Sequence, residues 1–135
     1  MVLVCVTDQE SCGRLIEAGR KLADITDNPL KVICVRPRRM ESWFGSDEVE
    51  YLFNLSKQLE AEMVIYFHDY AVEAVIDYIQ SNEVHYVIVG MPPEPGQSIF
   101  ITGLEDHFPT LPVISLDQSG SLQLVPSFDE NCRQL

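Results

Sequence analysis

Gly90, Gly96, Gln97 and Ser98 are the residues whose types and spacing best suit chemistry, and that chemistry is phosphate binding. The apolar run Tyr86-Val-Ile-Val89 reads as a buried strand. It stops at Gly90, and Met91 opens a loop with prolines at 92, 93 and 95. Gly96-Gln97-Ser98 then leads into a second apolar run. Strand, glycine, loop and helix start is the local pattern of a phosphate-binding turn in an open α/β sheet. Gly90 lets the chain turn sharply and lets a ligand approach the backbone. Gln97 and Ser98 would offer N–H groups at a helix N-terminus. A plain tight turn would need the same residues. Pro92, Pro93 and Pro95 lack N–H groups, which removes three donors and also stiffens the loop.

Two further stretches carry candidate residues. Thr7 and Asp8 follow the first strand, Val35 ends the second, and Arg36 opens the loop after it. Arg36, Arg38 and Arg39 form a basic spot with Lys31 just upstream. It suits one anionic ligand, or a solvated loop balancing Glu41, Asp47 and Glu48. Cys5, Cys12, Cys34 and Cys132 match no zinc or redox spacing. Cys5 and Cys34 read as small core hydrophobes. The three histidines are scattered and make no ligand set, so no metal is expected.

The 135 residues suffice for one domain with a core and are too few for two. Residues 1–127 are expected to form it, with a frayed tail from 128. The net charge of −12 repels phosphates and argues against general nucleic-acid binding. No apolar run approaches the length of a membrane span, and no basic signal-peptide region opens the chain. A cytoplasmic protein is the expectation.

Five short apolar runs alternate with four amphipathic stretches. Strands are expected at 2–6, 30–35, 61–67, 84–89 and 112–116. Thr7 and Glu10 form a capping-box pattern for a first helix running to about Ile25. Ser46 caps a second helix to about Glu60, Asp69 begins a third to about Asn82, and Ser98 begins a fourth to about His107. Leu122–Val125 is expected as an extra antiparallel strand. Alternating buried strands and helices imply an open parallel α/β sheet covered on both faces. The order 3-2-1-4-5 sets the loops after strands one and four side by side. Ligands of such sheets bind at that switch point. Thr7–Ser11 would meet Gly90–Ser98 there, with Arg36 on the same edge.

The segment from His68 to Gly90, ending Val-His-Tyr-Val-Ile-Val-Gly, resembles the helix-to-strand passage of universal stress proteins (the UspA-like family). The opening Val2-Leu-Val-Cys-Val-Thr-Asp-Gln-Glu-Ser-Cys-Gly is similar in particular to the stress-protein-like domain of KdpD sensor kinases. The resemblance covers about residues 1–117 and implies an adenine nucleotide alpha hydrolase-like fold. ATP-binding members carry glycine, two residues, glycine, nine residues, glycine and a hydroxyl residue. Gly90 matches the first glycine and Gly103 the third, while Pro93 and Leu104 replace the second glycine and the hydroxyl. A shortened loop with Gly96-Gln97-Ser98 in that role fits the helix length better. Thr7 stands where the family has Asp, with Asp8 one place on. These departures match a non-ATP or KdpD-like branch, some of whose members are implied to sense cyclic dinucleotides.

Two functions stay open. One is a small regulatory domain holding ATP or another adenine nucleotide through Thr7, Asp8, Val35, Arg36, Gly90, Met91, Gly96, Gln97 and Ser98. The other is a ligand-free interaction module of the same fold. The resemblance implies a homodimer through the strand-five edge, and a signalling or membrane-transport protein is a candidate partner. With no catalytic triad, no carboxylate pair at metal-site spacing and no phosphate-loop lysine in the sequence, an enzyme is not expected.

Overall fold

The computed structural model describes residues 1–7, 12–38, 47–90, 99–116 and 122–124. The elements run β1 Val2–Val6, α1 Gly13–Thr26, β2 Leu30–Arg36, α2 Asp47–Gln58, β3 Glu62–Phe67, α3 Ala71–Ser81, β4 Tyr86–Gly90, α4 Ile99–His107, β5 Val113–Leu116 and β6 Leu122–Leu124. They build one sheet in the order β3-β2-β1-β4-β5-β6. The first five strands are parallel and β6 pairs antiparallel with β5. The expected order 3-2-1-4-5 is therefore the observed one.

Strand alternation divides the core into two layers. Val2, Val4, Val6, Val32, Cys34, Met63 and Ile88 pack with α1 and α2. Leu3, Ile33, Val87, Val89 and Val113 pack with α3 and α4 on the other face. Both faces are covered, so the central strands are continuous apolar runs, as parallel strands must be.

α1 begins at Gly13, six residues after the expected cap. Cys12 is its N-cap, and no side chain caps it. Thr7 Oγ1 lies 3.4 Å from Cys12 Sγ, facing the cap residue instead of the helix N–H groups. The capping pattern is local, whereas the chain must first climb from the sheet to the helix layer. α3 likewise begins at Ala71 behind Tyr70, not at Asp69. Asp69 Oδ1 accepts a hydrogen bond from the Arg38 backbone N–H at 3.1 Å. β2 extends to Arg36, which makes that residue a strand terminus and not a loop residue.

α1 and α2 end alike. Asn28 N–H donates to Ala23 O and Asp27 N–H to Asp24 O; Ala61 N–H donates to Ser56 O and Glu60 N–H to Lys57 O. These paired bonds are Schellman closures, which need a left-handed residue just past the helix. Asp27 and Glu60 occupy those positions at φ 56° and 57°. A Cβ is strained there and glycine is not. Glu60→Gly is expected to stabilise the fold by about 0.5–1 kcal/mol, read as a higher urea midpoint at unchanged slope.

At the far edge, β6 occupies the outer side of β5. A dimer joined at that end of the sheet would meet β6, because β5 is paired on both sides. No helix among the described residues is long and apolar enough to cross a membrane.

Candidate functional site

The sheet order reverses between β1 and β4. β1 leads to α1 on one face, and β4 leads toward α4 on the other. In open α/β sheets such a reversal, at the carboxyl ends of the strands, is where a ligand crevice lies. The register pairs Val4 with Ile88, so carried two residues on it sets Gly90 level with Val6. Gly90 and Thr7 are both exposed. Among the described residues, a Cβ on Gly90 would touch only Leu15 Cδ1, at 3.7 Å. Gly90 is therefore exposed and not crowded by the described residues.

β2 borders the crevice on the other side of β1. Val6 pairs with Cys34, so Arg36 stands two residues beyond that level. By alternation it shares the α1–α2 face with Val32 and Cys34. It is 5% exposed. A charge so enclosed must be engaged, since burying it bare costs several kcal/mol, and Arg36 does have a partner in the protein. Val35 points the opposite way and packs against the α3–α4 layer. Of the expected nucleotide-binding residues, Thr7, Arg36 and Gly90 stand at the carboxyl ends of the neighbouring strands β1, β2 and β4, while Val35 serves the core. Asp8, Met91, Gly96, Gln97 and Ser98 lie outside the described residues, as do Arg39, Glu10 and Ser46.

Sequence reasoning missed the bond network behind Arg36. His68 N–H donates to Arg36 O at 2.8 Å, and His68 Nδ1 accepts from Tyr70 N–H at 2.9 Å. Together with the Arg38–Asp69 bond, these tie the exit of β2 to the exit of β3. The signal was His68-Asp69-Tyr70 directly after a strand, three residues suited to local turn bonding. Cys12 was named but not as the N-cap of α1.

Cys5 packs against the α3–α4 layer, and burial pushes its thiol up to about 12. It stays protonated at neutral pH and is no nucleophile there. Among the described residues, no three His, Cys, Asp or Glu side chains gather as metal ligands do.

No protein-family model and no curated protein sequence matches the chain. A solved structure does. The universal stress protein from Archaeoglobus fulgidus superposes with a TM-score of 0.64 at 12% identity, over 84% of this chain and 90% of that one. At such identity the likeness speaks for the backbone arrangement alone. Strand order, crossovers and this superposition agree that the chain has the universal stress protein fold.

Proposed function

We propose that the chain is a universal-stress-protein-like regulatory domain that holds a nucleotide by its phosphates in the crevice between β1 and β4. The observation that carries this reading is exposed Gly90 at the reversal of strand order, level with the end of β1. Backbone there is open to a phosphate, and the end of β2 supplies Arg36 as a nearby positive charge on a chain of net charge −12. Thr7 Oγ1 adds a neutral hydroxyl where a carboxylate would repel the ligand. The role is binding, not turnover. Occupancy of the crevice is the signal, read by a signalling or membrane-transport partner.

The test is a thermal-shift titration with ATP, AMP and cyclic dinucleotides, with and without magnesium. A ligand of the native state raises the midpoint by mass action. A concentration-dependent rise with one of them supports the proposal and names the ligand class; no rise at about millimolar ligand rejects it. For the ligand that binds, Arg36→Gln is expected to weaken affinity about tenfold or more, since a charge-assisted hydrogen bond is worth about 1.5–3 kcal/mol. Calorimetry on folded Arg36→Gln protein reads this apart from any loss of stability.

A further inference from the structure

The β3 side of the sheet ends in an open strand. Among the described residues β3 pairs only with β2, and no strand covers its other side. His68 N–H donates to Arg36 O. In a parallel ladder one residue's N–H and C=O point to the same neighbour, and successive residues alternate. The even-numbered residues of β3 therefore face β2. Met63, Ile65 and Phe67 turn their N–H and C=O outward. A row of such groups is a template for another strand.

The side chains along this edge are apolar and exposed. Ile65 is 39% exposed on the α1–α2 face, and Tyr66 is 42% exposed on the other face, edge-on to the Tyr78 ring of α3. Phe53 adds to the first face. Tyr51 of α2 lies against Gly13 of α1. Phe53 stands about 200° further round the helix, on the flank away from α1, where α2 meets β3. It is 42% exposed.

We infer that the β3 edge binds the β3 edge of a second copy, antiparallel about a twofold axis centred on Ile65, to make one continuous twelve-stranded sheet. Only outward residues can exchange backbone bonds, which leaves a few registers, and the side-chain pairs favour the one in which Ile65 faces Ile65 of the copy and Met63 faces Phe67. The side chains then match without adjustment. Val64 lies opposite Tyr66 of the copy, a favourable aromatic–β-branched pair. Glu62 lies opposite His68 of the copy, twice. His68 Nδ1 already accepts from Tyr70 N–H, which leaves Nε2 as the donor. Glu62 uses Oε1 for Lys31 at 2.7 Å and keeps its second oxygen. An isologous contact must be complementary to itself, and this one is in backbone bonding and in charge. Among the described residues the β6 edge is three residues long, against six for β3.

The experiment is sedimentation equilibrium of the full chain over about a hundredfold range of concentration, where dimer must grow by mass action. The wild type is expected to approach twice the monomer mass. Ile65→Lys places two like charges on the axis and is expected to be monomeric throughout. Ile65 is already exposed, so the far-UV circular dichroism of that variant should match the wild type, and its thermal midpoint should match that of the wild type at dilutions where the wild type is monomeric. Ile65→Cys, in a Cys12→Ser/Cys132→Ser background, is expected to form a covalent dimer under copper–phenanthroline and oxygen. Facing Cα atoms of a bonded pair stand about 5.5 Å apart, within disulfide reach. Glu62→Cys in the same background should not cross-link to itself. A wild type that stays monomeric overturns the inference. So does a dimer that survives Ile65→Lys, which would assign association to another surface such as the β6 edge, and so does the absence of an Ile65→Cys cross-link.

Discussion

Ile88→Ala is expected to lower the unfolding free energy by about 3–4 kcal/mol. Ile88 is fully buried in β4, paired with Val4 of β1 on one side and Ile114 of β5 on the other. Its side chain lies beneath α1, where Cδ1 stands 3.8 Å from the position of a Cβ on Gly19. Truncation removes three carbons from a site whose walls cannot close in. Both neighbouring strands are held in register, and α1 already touches the sheet through Val4 and Leu30. The cavity stays open, which places the cost in the upper half of the range for such changes. Against a total stability of about 5–15 kcal/mol, the loss is large. Urea unfolding at 25 °C reads it as a lower midpoint at unchanged slope. A loss below about 1 kcal/mol would mean that α1 does not seal this part of the core as described. Affinity for any crevice ligand, measured on the folded protein, should change little, because Ile88 points into the α1 layer and Gly90 keeps its backbone.

The strands were readable because parallel strands are buried on both faces. Leu30-Lys-Val-Ile-Cys-Val and Tyr86-Val-Ile-Val are compact β-branched runs that a helix pattern does not fit. With the strands in hand, right-handed crossovers left few orders, and the switch point followed from the order. Helix starts were less readable. Thr7 and Asp69 have capping side chains, yet one faces Cys12 and the other bonds to Arg38 across two strands. Asp69 and Arg38 become near neighbours only after β2 and β3 pair, so no local window contains both. Residue types did not reveal the left-handed position of Glu60 either, because glutamate rarely adopts it.

The placement of the candidate residues was half legible for the same reason. Gly90 and Thr7 end strands, and strand ends are what topology places. Val35 and Arg36 are adjacent in sequence and were assigned one role, but a strand sends neighbours to opposite faces. Arg36 goes to the α1–α2 side and Val35 to the α3–α4 core. The exposed β3 edge left a sequence trace as well. β3 mixes exposed Glu62, Ile65 and Tyr66 with buried Met63, where the central strands are unbroken. An edge strand has that irregular profile because its outermost side chains have cover on one flank only.

Gly19→Ala is expected to destabilise the protein by about 2 kcal/mol, although alanine is the better helix former by about 1 kcal/mol. A methyl group at position 19 would lie 2.5 Å from Val4 Cγ2 and 2.9 Å from Leu30 Cδ1. Leu30 can swing its terminal methyl. Val4 cannot, since it is fully buried and its branched Cβ has one comfortable rotamer among packed neighbours. α1 must then rise from the sheet, and overpacking outweighs propensity. The discriminating measurement is a double-mutant cycle with Val4→Ala. Val4→Ala alone leaves a cavity and is expected to cost about 2 kcal/mol. In the double variant the new methyl occupies space the valine vacated, so the pair should cost about 1–2 kcal/mol less than the sum. Strict additivity would show that the helix does not approach the strand at Gly19. The same cycle reports on the crevice. α1 carries Cys12 at its start, beside Thr7, so lifting the helix at Gly19 moves one wall of the crevice away from Gly90. Affinity for a nucleotide should therefore fall in Gly19→Ala and return in the double variant, following the helix position and not the stability of either single change.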